Sequence, residues 1–171
     1  MASFLFLCTV FYWFEFTAFI WKAKGRHGTH SPFAYFLVDR VRRKKVDFKN
    51  LENRGGPQGK TSLFLEKLLS ALPDFELINY QTEKQLLSDQ KKQLIQIEEN
   101  EGKEVLKNLS LLDLHPESII VVPAYMLRNN KADWKALCNH PNFHFSVDAW
   151  YFGLLSRRPQ QAKQHFLLKL T

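Results

Sequence analysis

The sequence predicts an α/β sheet that turns antiparallel toward its end, and three observations carry that prediction. Ser118-Ile119-Ile120-Val121-Val122 is a continuous apolar run, the pattern of a strand buried on both faces. Helical periodicity flanks it, in the stripe Leu65, Leu68, Leu69 and Leu72 before it and around Ala132 to Cys138 after it. From Phe143 onward, strand patterns follow one another without an intervening helix: Phe143 to Asp148, Trp150 to Leu155, and His165 to Leu170. Helices alternating with buried strands, then strands in succession, indicate a sheet with an antiparallel edge.

The chain of 171 residues suffices for one domain with one core. Fifteen Phe, four Trp and five Tyr make it aromatic-rich. The net charge of +7 is local, because Lys22 to Lys60 holds eleven Lys or Arg against three acids. Such a block suits an anionic membrane surface or a nucleic-acid backbone, and equally a solvated basic face. Cys8 and Cys138 form neither a metal-ligand spacing nor a disulfide framework, so the chain reads as intracellular and reduced.

Taken in order, residues 1–24 form a hydrophobic N-terminal helix, and 25–171 the α/β domain. Phe4 to Trp21 is apolar except for Thr9, Glu15 and Thr17, and its 18 residues would extend roughly 27 Å as a helix. Lys22, Lys24 and Arg26 follow at once, whereas a secretory signal would have a charged start and a small-residue cleavage site. If the helix spans a bilayer, that basic flank keeps the domain cytoplasmic, at the inner face of the membrane. Glu15 near the middle opposes a span, and the alternatives beside it are a helix lying in the interface or one packed on the domain.

Ser31 followed by Pro32 is a helix start, with Phe33, Phe36, Leu37 and Val41 on one face. His27 and His30 lack a third ligand nearby, so capping and packing suit them better than metal binding. Arg40, Arg42, Arg43, Lys44 and Lys45 close this helix and favour its dipole. No aromatic platform stands beside them to mark a nucleic-acid site.

The turn Gly55-Gly56-Pro57-Gln58-Gly59-Lys60 ends the preceding element, and Thr61 or Ser62 would cap the next helix. A glycine-rich turn at a helix N-terminus offers free N–H groups to an anion. A nucleotide phosphate loop needs four residues between its glycines, and only three separate Gly55 from Gly59. Phe75 to Tyr80 reads as a strand. Thr82 with Gln85 makes a capping box for a long polar surface helix reaching Asn100.

His27-Gly28-Thr29-His30-Ser31-Pro32-Phe33 resembles the His-Gly-x-His-Ser-Pro-Phe signature of a group of bacterial class I S-adenosylmethionine-dependent methyltransferases. Ser118 to Val122, Trp134, His140-Pro141, Ser146-Val147-Asp148, Phe152-Gly153-Leu154 and Arg157 are similar to that group's last third. The resemblance implies a Rossmann-like sheet with helices on both faces and an antiparallel C-terminal edge, reduced in the middle. It implies S-adenosylmethionine as cofactor, with Gly55 and Gly59 as the paired glycines of its loop and Thr61 opening the following helix. It places Gln81 where the family's ribose-binding acid stands.

The departures from the pattern concern chemistry. Asn53 fills the acidic position before the first glycine, and Pro123-Ala124 replace the paired aspartates suited to a metal or a general base. No catalytic residue and no metal ligand is therefore assigned. Two functions stay open: a methyltransferase acting on a small molecule, or a non-catalytic relative held at a membrane through Phe4 to Trp21 and working by contact.

Overall fold

Ile119, Ile120, Val121 and Val122 are all buried, and they alternate between two cores on opposite faces of one sheet. The computed structural model describes residues 2–23, 31–41, 57–84, 87–98, 105 and 108–170. In chain order these form α1 (Ala2–Lys22), α2 (Pro32–Phe36) running into a π-helical turn (Leu37–Val41), α3 (Pro57–Ala71), β1 (Glu76–Asn79) and α4 (Tyr80–Glu83). There follow β2 (Gln93–Gln96), a 3-10 turn (Leu109–Leu111), β3 (Ile119–Pro123), α5 (Ala124–Asn129), α6 (Lys131–Asn139), β4 (Phe145–Asp148), β5 (Phe152–Ser156) and β6 (Gln164–Leu167).

The six strands lie in the order β1-β2-β3-β5-β4-β6. β1, β2 and β3 are parallel neighbours, with Leu94 opposite Ile119 and Ile95 opposite Ile120. β5 runs antiparallel to both β3 and β4. The expected α/β sheet is present, but its antiparallel strand is internal. The edge strand β6 runs parallel to β4, because the chain leaving β5 crosses past β4 before pairing.

One face carries α2, its π turn and α3. Phe33, Leu37, Val41, Phe64, Leu65 and Leu68 pack there against Leu94, Val121, Phe145, Val147 and Leu154. The other face carries α5 and α6, whose Leu127, Trp134, Leu137 and Cys138 pack against Ile78, Ile95, Ile120, Val122 and Leu155. Gly153 of β5 admits this second layer: an added Cβ would stand 2.6 Å from Cη2 of Trp134 and 2.8 Å from Cδ2 of Leu127.

The start of α2 is as the sequence predicts. Ser31 caps it, its Oγ accepting from the N–H of Ala34 at 3.4 Å, with Pro32 in the first turn. Phe33 is buried edge-on to Phe145, with centroids 4.9 Å apart. The guanidinium of Arg158 lies 3.6 Å from the Phe33 ring centroid. The described part of the signature thus serves a helix start and a core contact. His27 and His30 lie outside the described residues.

Two sequence expectations are corrected. The helix after the glycine turn starts at Pro57 rather than at Thr61, since proline at a first helical position needs no donor and has its φ preset. The long helix expected from Thr82 to Asn100 does not form. α4 ends at Glu83, and Gln93–Gln96 is the strand β2, its first three residues buried between β1 and β3. Burial of Leu94 and Ile95 in both cores overrides the helix propensity of the surrounding Gln, Lys and Glu.

Candidate functional site

The carboxyl ends of β1, β2, β3, β4 and β6 share one rim of the sheet, the side on which open α/β sheets take their ligands. This rim has a polar half at β1 and β2 and an aromatic half at β3 to β6.

At the polar half, Asn79 is both the last residue of β1 and the cap of α4. Its Oδ1 accepts from the N–H of Gln81 at 3.0 Å, and its Nδ2 donates to Glu98 Oε1 just beyond β2. Its own N–H donates to Glu83 Oε2 at 2.8 Å, which closes a reciprocal cap. Gln81 is exposed at this rim. The group holds two carboxylates and two amides, able to accept from hydroxyl or amino groups of a ligand but offering no nucleophile.

At the aromatic half, Trp150 follows β4 with a left-handed backbone, φ 70°, which a bulky residue adopts only when its surroundings enforce it. Asp148 Oδ1 accepts from the Trp150 N–H at 2.8 Å and from Arg128 Nη2 at 2.5 Å, and the same Nη2 donates to the Trp150 carbonyl at 3.2 Å. The guanidinium of Arg128 also lies 4.2 Å from the Trp150 ring centroid. The nearly buried carboxylate is thus paired and its partner stacked, the combination in which a charge pair inside a protein is tolerated.

Helix α1 closes over this half. Phe16 and Phe19 meet the Trp150 ring at centroid distances of 5.2 and 5.3 Å, and Tyr12 meets it edge-on at 5.5 Å. The indole N–H of Trp150 donates to the Tyr12 hydroxyl at 3.0 Å. Lys131, at the start of α6, pairs with Glu15 at 2.5 Å, so the charge in the middle of α1 is neutralised by the domain. Phe19, Ala23 and Trp150 form a third core, joined by Ile20, Tyr151 and Leu167. Of the three readings of Phe4 to Trp21, the second half of the segment shows the packed one. Among the described residues no helix is long and apolar enough to cross a membrane.

Of the four residues singled out for S-adenosylmethionine, the described ones stand on two elements, Gly59 and Thr61 in α3 and Gln81 in α4. Gly55 lies outside the described residues, and Gly59 stands in the first turn of α3 rather than in a loop. Thr61 is a buried residue inside α3, and its Oγ1 donates to the carbonyl of Tyr151 at 3.2 Å, which ties the helix to the β4–β5 turn. Gln81 sits in α4 directly after β1, and β1 lies three strand spacings or about 14 Å from β5.

Comparison of the chain with protein-family models, curated proteins and solved structures finds no match.

Other chemically capable groups have structural partners. Ser146 Oγ lies 2.9 Å from His165 Nδ1, but the serine is buried and the two are cross-strand neighbours. Burial pushes the Cys138 thiol up to about 11, so it is not a thiolate at neutral pH. No group of three or more His, Cys, Asp or Glu able to hold a metal occurs among the described residues. Sequence reasoning missed Glu98, which the expected long helix concealed, and Arg128, which no motif marks. Asp148 was visible in the resemblance without its role.

Proposed function

We propose that this chain is a methyltransferase-like α/β domain that does not transfer methyl groups and works instead through contacts. The observation that carries the reading is α1, whose inner face covers the carboxyl ends of β4 and β6, on the side of the sheet where a small-molecule substrate would lie. A further fact supports it. Pro123 and the start of α5 occupy the positions where the methyltransferase resemblance calls for paired acids.

The second reading, an active methyltransferase, is favoured by the polar group Asn79, Gln81, Glu83 and Glu98 at the uncovered end of the rim. Methyl transfer from a sulfonium needs alignment more than a base, so missing carboxylates do not by themselves oppose it. Calorimetric titration of the full chain with S-adenosylmethionine and with S-adenosylhomocysteine separates the two. The proposal expects only heats of dilution at millimolar ligand; saturable one-to-one binding supports the second reading.

A further inference from the structure

Helix α1 has two apolar faces, and the domain uses only one. Phe16, Phe19, Ile20 and Ala23, at spacings of three and four residues, form the face held against Trp150, Tyr151 and Leu167. On the other side Trp13 is 58% exposed, Phe14 72% and Trp21 91%, with exposed Thr17 between them. Bulky aromatics this exposed, standing together, mark a surface that meets something.

The polar atoms around this ridge narrow the choice of partner. The hydroxyl of Thr17 donates back to the carbonyl of Phe14 at 2.9 Å. Glu15, the only acid in the first 38 residues, is bound to Lys131. On α1 itself, therefore, no unpaired acid stands beside Trp13, Phe14 and Trp21. Exposed Lys22 ends the helix, and Lys24 and Arg26 follow in the sequence. Tryptophan and phenylalanine beside lysine and arginine suit the boundary between headgroups and acyl chains, where an indole finds both an apolar and a polar neighbour. A second copy would bring the same basic cluster and the same net charge of +7 to the interface, and would be repelled.

We propose that the outer face of α1 docks in the plane of an anionic lipid surface, with Trp13, Phe14 and Trp21 entering the interface and Lys22 contacting headgroups. Because the inner face stays on the domain, the helix neither spans nor leaves the protein. Only its outer side chains enter, to a depth of roughly 5 Å. The inference goes beyond the reading of the sheet's rim, and a negative vesicle result leaves the cofactor titration unaffected.

The test is co-sedimentation of the full chain with vesicles of phosphatidylcholine and phosphatidylserine in equal parts, beside vesicles of phosphatidylcholine alone. Binding to the anionic vesicles with a blue shift of tryptophan emission is expected. The double variant Trp13→Ser, Trp21→Ser should bind about tenfold more weakly or worse, and Lys22→Glu about fivefold more weakly. All three side chains are exposed, and Trp13 meets Phe16 of its own helix edge-on at 6.0 Å, so both variants should melt within a few degrees of the parent, which separates lost docking from lost folding. The proposal is overturned if the parent chain stays in the supernatant, or if the tryptophan variant binds as well as the parent. It is equally overturned by indifference to phosphatidylserine and to Lys22→Glu. Self-association that the tryptophan variant abolishes, without vesicle binding, would assign the face to a second copy instead.

Discussion

Trp150 holds a backbone conformation that costs energy, and its neighbours hold it there. Asp148 accepts from its N–H, Arg128 donates to its carbonyl, and its ring is buried under α1. Nearby, Gly153 is required by space alone. Gly153→Ala must displace Trp134 and Leu127, so a loss of about 1–3 kcal/mol in urea denaturation is expected. Glu117 is held below the usual carboxylate range by its hydrogen bond to Lys92, against the opposing effect of partial burial. A folded-state pKa below the unfolded one stabilises above the unfolded value and ceases to do so as pH falls through the folded one. Glu117→Gln should therefore be slightly less stable than the parent at neutral pH, by under about 1 kcal/mol because the pair is partly exposed. The difference should close as pH falls below about 4.5, as thermal melts across a pH series would register. Cys138 should stay unreactive toward an aromatic disulfide reagent at mildly alkaline pH in a Cys8→Ser chain until denaturant is added.

At the scale of elements, α1 belongs to the domain because one aromatic residue gives it a seat. Trp150→Ala removes the ring that Tyr12, Phe16 and Phe19 meet, and an unfolding loss of about 3–5 kcal/mol is expected. Hydrogen exchange should report the loss first at the amides of Phe19 to Ala23, while β3 and β5 keep their protection. Unchanged exchange in α1 would mean that Trp150 is not its anchor. The elements that were legible in the sequence are those with a local cause. Ser31-Pro32 opens α2 through a cap and a preset φ, and Ile119 to Val122 announces a strand by its own unbroken apolarity. β2 was not legible, since Gln93-Leu94-Ile95-Gln96 lies among helix-favouring residues and becomes a strand only between β1 and β3. The Arg128–Asp148–Trp150 group was hidden for the same reason: its members meet only once α5 and β4 pack, and no spacing in the sequence records a positive φ.

At the scale of the whole molecule, the sheet carries two different ends on one rim. The end at β4 and β6 is covered by α1, and the end at β1 and β2 presents Asn79, Gln81, Glu83 and Glu98 beside β1, the outermost described strand on that side. The residues that a methyltransferase resemblance selects are divided between these places, with Thr61 tied to Tyr151 and Gln81 far across the sheet. The architecture is thus consistent with a domain whose rim is given over to its own N-terminal helix, whose outer face is left for a partner. On the proposed reading, this rim takes no methyl-donor cofactor. Amide-resolved NMR titration of the full chain with S-adenosylhomocysteine tests it most directly. The resonances of Asn79, Gln81, Glu98 and Trp150 are expected to stay in place at millimolar ligand; saturable shifts centred on Asn79, Gln81 and Glu98 would contradict the proposal.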